Sequence, residues 1–459
     1  MHAIIGAGMG GLAAAIRLAK AGRTVHVYEA TDQVGGLAGR VQLGDMAMDG
    51  GPYILLDRPG LEWAFEQLGE QLTDHIELIE LDETWRVTWK DGEQVAIYRS
   101  LEKTADALEA QFPGAANKYT EFVHNMGRAY ERLAPYQRSR PPKPWHLFRR
   151  KTWRSIPFLL RPLGAHLGAT GLPARVQDAL GIWTHIASQP LAKAPAPLAF
   201  VPAIVHTRGA YVAKGGIHRI GEALARVAEE AGVTLHLNTR VDRIIRAADR
   251  VVAIEVNADR IPVDTVISNA PGIGTLTELI DPPEPKLSRD LSSLPLQSPG
   301  VAAYLSGDAD DSVPFIRFLL PEDEPCRLFL RFDGVDPSRA RQMRLLGPVD
   351  HAWAARVGPD GQRAYLDKVV AEDWWKHGVS HSEVLATRIP VEWGRRHLLY
   401  KDSMNPVMTA AYMRRGRLPH SPPIASNLFL AGSATHPGQW VSFAAISGVL
   451  AADALMERE

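Results

Sequence analysis

Along the first forty residues the period of apolar and polar positions changes twice. His2 to Ile5 make a short apolar run that stops at glycine, Leu12 to Ala21 recur at helical spacing, and Thr24 to Tyr28 alternate. Those periods predict a buried strand, a helix ended by Gly22 and a second strand, which together form a βαβ unit. Farther along, Trp85 to Tyr98 alternate around Asp91-Gly92, a hairpin signal, and two amphipathic helical stretches follow at about 100–112 and 115–133. Ile220, Leu224 and Val227 mark a helix capped by Gly232, followed by strands Val233 to Leu237 and Thr265 to Ser268. Cys326 to Phe332 reads as a strand and Gln362 to Trp375 as helical. Near the end, Asn427 to Gly432 is a buried strand that runs through a loop into a helix from about Val441 to Met456.

The glycines give the first unit a chemistry. Gly6, Gly8 and Gly11 form G-x-G-x-x-G, with Met9 and Gly10 inside it. Gly6 makes the tight turn, Gly8 lets backbone approach a pyrophosphate, Gly11 packs helix on strand, and the helix N-terminus faces the phosphates. Glu29 ends the second strand 18 residues after Gly11, ahead of Ala30, where a carboxylate can accept both hydroxyls of an adenosine ribose. Gly35, Gly36, Leu37 and Arg40 then supply a second glycine turn, whose guanidinium can hold a pyrophosphate from the far side. NAD sites usually do without that turn, so the pattern favours FAD. In Asp49-Gly50-Gly51-Pro52, followed by Tyr53, the glycines would let backbone lie against a flat ring system. Read alone, this stretch also fits two surface turns.

With these residues in place, the chain resembles the FAD-dependent flavin oxidoreductases that include amine oxidases, protoporphyrinogen oxidase and phytoene desaturases. Within that class it looks most like the bacterial phytoene desaturase and carotenoid isomerase group. Residues 1–60, 210–272 and 425–456, about a third of the chain, carry the resemblance. It implies that Val241 offers its backbone to the adenine, and that Asn269-Ala270-Pro271 returns the chain to the nucleotide domain. It also implies that Gly432, Ser433 and Val441, at a helix N-terminus, face the anionic edge of a reduced flavin. Ser433 stands where most of the wider class has an acid, as in the desaturase branch. Gln439-Trp440-Val441-Ser442-Phe443 replaces small residues and would put bulk beside the flavin. The expected fold is α/β: a Rossmann-type doubly wound FAD-binding domain (1–78, 210–290 and 406–459) with an interleaved α+β substrate domain (79–209 and 291–405).

Composition narrows the partners. Lys and Arg number 51 against 52 Asp and Glu, so no bulk field draws the molecule to nucleic acid. One cysteine, Cys326, excludes an internal disulfide and fits a reducing compartment; the strand at the N-terminus leaves no room for a signal peptide, and a cytoplasmic location is expected. Neutrality is an average, however. Residues 132–176 hold ten Lys or Arg and no acid, interleaved with Trp145, Phe148, Trp153, Phe158, Leu159 and Leu160. That is the composition of a helix lying on an anionic membrane surface, through which an apolar substrate could enter. A solvated cationic face or a dimer contact is the alternative; no nucleic-acid fold signature supports the remaining one.

A flavin carries out the redox step itself, so no single catalytic acid or base is required. His436, Trp440 and Arg208 are weak catalytic candidates. Metal is rejected, since the histidines show no zinc-site spacing, and hydrolysis is rejected for want of a nucleophile elbow. The expectation is an FAD-dependent oxidoreductase acting on an apolar, isoprenoid or carotenoid-like substrate, by desaturation with hydride transfer to flavin N5 or by isomerisation. Oxygen or a quinone would be the electron acceptor. Within the class, a flavin amine or porphyrinogen oxidase remains open, with Trp440 and Tyr53 flanking the flavin. From another class comes a non-catalytic prenyl-binding protein of the GDP-dissociation-inhibitor type.

Overall fold

Four-residue apolar runs such as His2–Ile5 and Thr265–Ser268 are buried at every position, which suits a parallel sheet covered on both faces. In the computed structural model, which describes residues 1–141, 152–321 and 324–459, they lie side by side in a five-stranded parallel sheet. Its order is Leu428–Leu430, Thr265–Ser268, His2–Ile5, Val25–Tyr28, Thr234–His236. Stretches of chain hundreds of residues apart therefore close one doubly wound, Rossmann-type sheet.

Helix Met9–Lys20 begins three residues before the expected Leu12, because Gly8 is extended (φ −75°, ψ 176°) and caps it, leaving the remaining glycines inside the first turn. The C-terminal helix spans Val441–Met456, as the pattern predicts. The two helices meet where a Cβ on Gly448 would lie 2.0 Å from the Gly10 carbonyl oxygen. Only glycine permits that approach, and it brings the N-terminus of the last helix beside the first glycine turn.

A seven-stranded sheet runs in the order Val379–Arg388, Val301–Ala309, Gln342–Gly347, Arg327–Arg331, Ile316–Leu320, Glu83–Trp89, Gln94–Tyr98. Its seam is the parallel pairing of Ile316–Leu320 with Glu83–Trp89, so both inserted stretches contribute to one sheet. Helices Leu101–Gln111 and Ala115–Leu133 follow the hairpin as expected; the longer one buries Tyr119, Phe122, Val123 and Tyr130 on one face.

Two expectations change. The helical stretch expected at Gln362 to Trp375 is a longer element, His351–Ala371, broken at Gly358 (φ 66°) before Pro359 and started by Asp350, whose side chain accepts the Trp353 N–H at 2.9 Å. Trp374–Lys376 is a separate 3-10 turn. The basic stretch is not one amphipathic helix over its described part: Ile156–Leu160 and Leu163–Gly168 are separate short helices, interrupted by Arg161-Pro162. Trp153 and Leu160 are exposed, whereas Phe158 stacks on Phe200 with centroids 4.9 Å apart. Trp145, Phe148, Arg149, Arg150 and Lys151 lie outside the described residues. Among the described residues no helix is long and apolar enough to cross a membrane.

Candidate active site

A cavity of about 510 Å³ runs from the first glycine turn to the inner face of the seven-stranded sheet. Gly6 holds φ at +94°, which an L side chain resists, and a Cβ on Gly11 would sit 2.0 Å from the Gly6 carbonyl oxygen. The turn is therefore pressed onto the helix behind it. No side chain caps Met9–Lys20 and no acid stands in its first turn, so its amide groups remain available to an anion. The second glycine turn is stacked on the first: Gly35 N–H donates to the Ala7 carbonyl at 2.8 Å, and a Cβ on Gly36 would lie 3.3 Å from Gly8 Cα.

Buried Glu29 is tied into this cradle. Oε2 accepts the Ala7 N–H at 2.8 Å, while Oε1 accepts the Thr31 N–H at 2.9 Å and its hydroxyl at 2.8 Å. A carboxylate has about four lone-pair sites, so acceptor capacity remains for a ribose. The Asn269 side chain fills the space that side chains at Gly8, Gly10 and Gly432 would need. On the far side, Gly432 N–H donates to Ser447 Oγ at 2.6 Å, Ser433 Oγ donates to Asn405 at 2.8 Å, and helix Val441–Met456 starts without a side-chain cap.

Of the residues singled out from sequence, Gly6, Gly8, Met9, Gly10, Glu29, Ala30, Gly36 and Leu37 line the cavity. So do Gly51, Pro52, Tyr53, Val241, Asn269, Gly432, Ser433 and Val441. Gly11 stands behind the wall as a packing residue. Arg40 does not reach it; its guanidinium is half-exposed and pairs with Glu222 at 3.1 Å. Gly50 is also outside the wall, and its reason for being glycine differs from the expected one: a Cβ would meet the Trp393 ring at 2.7 Å. Likewise a Cβ on Gly51 would meet the Leu37 carbonyl oxygen at 2.1 Å.

The three weak catalytic candidates are not among the residues that line the cavity, although Gln439 and Val441 on either side of Trp440 are. His436 Nε2 donates to the Tyr136 carbonyl at 2.8 Å, and burial pushes its imidazole down to about 4, which leaves it neutral at pH 7. Arg208 pairs with Glu131 at 2.6 Å on the surface. Trp440 stacks on Phe443, centroids 4.8 Å apart, at the start of the last helix.

Sequence reasoning missed the opposite wall. Arg344 and Arg388 come from the seven-stranded sheet, Trp393 and His397 from the segment after it. Arg344 donates to the carbonyls of Asp49 and Gly51, the latter at 2.7 Å. Arg388 lies over the Trp393 ring, 4.3 Å from its centroid. Burial, together with the charges of Arg396 and Arg388, holds the His397 imidazole down at about 3. Strand Gln342–Gly347 is buried on both faces, so no alternation marks Arg344 as inward. Behind this wall Asp49 is enclosed: Oδ1 accepts from the His218 N–H (3.1 Å) and Nδ1 (2.9 Å), and Oδ2 from Arg339 Nη1 (2.8 Å).

Residues 9–304, more than half of the chain, match the family described as flavin containing amine oxidoreductase. A phytoene dehydrogenase of Streptomyces griseus is 32% identical over 277 residues, covering 58% of this chain and about half, 53%, of that relative. A hydroxyneurosporene desaturase of Rhodobacter capsulatus is 29% identical over 498 residues, covering 99% of this chain and 97% of its own. Among solved structures, an oxidoreductase from Methanosarcina mazei shares the fold, with a TM-score of 0.64 at 17% identity over 99% of both chains. The chain belongs to the flavin containing amine oxidoreductase family and is an FAD-dependent oxidoreductase.

Proposed function

We propose that the protein desaturates an apolar, isoprenoid or carotenoid-like substrate, with oxygen or a quinone as the final electron acceptor. The observation that carries this reading is the continuity of the cavity. One end is the phosphate cradle of Gly8, Gly10 and Glu29; the other is walled by Tyr53, Ile186, Val301, Leu328, Leu346 and Trp393. The family match and the resemblance to a phytoene dehydrogenase and a hydroxyneurosporene desaturase support it.

The glycine cradle fits FAD, since the start of Met9–Lys20 carries no side-chain cap and no acid in its first turn, and Glu29 beside it keeps acceptor capacity for a ribose. Residues 1–78, 210–290 and 406–459 would hold the cofactor, and 79–209 with 291–405 the substrate. Bound FAD supplies the acceptor for a hydride from an activated C–H. The chain's own part is positioning. The start of Met9–Lys20 would bind pyrophosphate, Glu29 would accept from the adenosine ribose, and the N-terminus of the Val441 helix would stabilise negative charge on the cofactor. The apolar wall orients the substrate and excludes water. Amine oxidation fits less well, because Arg344 and Arg388 add positive charge to the cavity wall, which disfavours a cationic substrate.

Purified protein is expected to be yellow, with a band near about 450 nm that belongs to the cofactor. Anaerobic incubation with polyene lipids should bleach it. Colourless protein that FAD cannot reconstitute, or bleaching by simple amines alone, would sink the reading.

A further inference from the structure

We propose that Arg344 and Arg388 receive a carboxylate at one end of the otherwise apolar substrate. The proposal rests on the reading of an apolar substrate oxidised beside FAD and makes it narrower.

The argument is one of missing counter-charge. Three arginines of similar exposure are paired with carboxylates, whereas Arg317 and Arg417, whose guanidinium groups burial pushes down to about 10, form no ion pair among the described residues but stand outside the cavity wall. Arg327 is clasped by Glu324 and Glu372, each at 2.8 Å. Arg331 pairs with Asp333 at 2.8 Å, and Arg339 with Asp49 at 2.8 Å. Arg344 is 1% exposed and Arg388 7%, yet among the described residues neither forms an ion pair. Arg344 has only the two backbone carbonyls, and its Nε has no partner. Arg388 has a single long contact, 3.5 Å to the Gly50 carbonyl, besides the Trp393 ring; its Nε and Nη1 have no partner.

The acids in the cavity wall are engaged elsewhere or form no pair with these arginines. Glu29 is held by Ala7 and Thr31, and Asp242 pairs with Arg240 at 3.3 Å. Glu278, the third acid in the wall, makes no ion pair among the described residues. Asp49 is committed to Arg339 and His218. Arg344 donates to the Gly51 carbonyl and Arg388 to that of Gly50, so the two cations address adjacent residues, and burial and the Arg388 charge push the Arg344 guanidinium down although Tyr304, Asp49 and Tyr53 push it up. Keeping uncompensated guanidinium groups out of water is costly, and an entering anion relieves that cost.

The geometry selects the kind of anion. Planar guanidinium forks suit a planar two-oxygen acceptor, the carboxylate. The rest of this wall is Leu328, Leu346, Tyr53 and Trp393, which suits the hydrocarbon that would follow the carboxylate. A primary amine of the same length would meet like charge.

The test uses the FAD-loaded full chain, titrated with dodecanoate, dodecanol and dodecylamine while the flavin band is followed. Dodecanoate is expected to bind about tenfold or more tighter than dodecanol, and dodecylamine weakest, the size of effect a charge-assisted hydrogen bond produces. Arg388→Met should raise the dodecanoate Kd about tenfold with flavin retained, and Arg388→Lys should restore part of the loss. Equal Kd values for dodecanoate and dodecanol in the unaltered protein would overturn the proposal without any variant. So would an Arg388→Met protein with a shifted flavin potential but unchanged dodecanoate affinity, since the guanidinium would then serve the cofactor. If the protein binds no FAD, the desaturase reading fails by itself; quenching of tryptophan fluorescence by dodecanoate still reports on the arginine site.

Discussion

Asp49→Asn keeps the side-chain shape and removes one charge from the enclosed cluster behind the cavity. In the native protein the two carboxylate oxygens accept three hydrogen bonds, two from His218 and one from Arg339. An amide offers one accepting oxygen and a donor NH₂ group, so on one side of the cluster donor faces donor. Removing one partner of a buried pair costs about 3–5 kcal/mol. The acid range gives an independent measure. Burial alone would raise the Asp49 carboxyl, but the Arg339 charge and the His218 hydrogen bonds outweigh it and bring the group from its ordinary 3.8 to about 2. That difference corresponds to ~2 kcal/mol of stability. Because the folded-state value is the lower one, the contribution is complete above the ordinary value and fades as pH falls from about 4 toward 2. The gap between native protein and Asp49→Asn should therefore be widest near neutrality and shrink by ~2 kcal/mol on acidification. Urea unfolding followed by tryptophan fluorescence, at fixed FAD concentration over a pH series, measures it. A neutral-pH gap below about 1 kcal/mol, or one that stays constant into the acid range, would refute the reasoning.

Gly11→Ala places a methyl group 2.0 Å from the Gly6 carbonyl oxygen; the helix must lift off the strand, and FAD fluorescence should report release at concentrations that leave the native protein loaded. Glu29→Gln retains one accepting oxygen for the two directions now served toward Ala7 and Thr31, so FAD affinity should fall about tenfold or more; an unchanged Kd by titration would show that Glu29 does not hold the ribose. His436 is lowered from 6.5 to about 4, so its contribution is complete above 6.5 and lost as pH falls toward 4, ~3 kcal/mol in all. His436→Gln should flatten that part of the pH–stability curve while leaving the pH dependence of turnover between about 5 and 8 unaltered.

The legible parts of the chain were those where a local period and a local chemistry coincide. Gly6 to Glu29 declare strand, turn, helix and strand within one supersecondary unit, and the last helix follows from the buried strand and loop that lead into it. The illegible parts depend on distant partners. Asp49 and Arg339 are 290 positions apart, and nothing near either one announces the other. Arg344 was hidden because a strand buried on both faces does not alternate. Gly50 and Gly51 were rightly seen as places where something comes close, but the neighbours are Trp393 and the Leu37 carbonyl, side chain and backbone of the protein itself. His436 was drawn toward the flavin by its position in a glycine-rich loop, whereas the fold turns its ring to the Tyr136 carbonyl.

The parallel sheet also sets a timetable. Its central strand, His2–Ile5, leaves the ribosome first, and its edge strand, Leu428–Leu430, more than four hundred residues later. At about 5–20 residues per second, the glycine turn waits roughly 20–90 s for its last wall. Until Val441 follows, the cradle has no far side, so a complete site for FAD would exist only once that residue has emerged. A ribosome stalled before residue 428 would carry a nascent chain with no complete place for the cofactor.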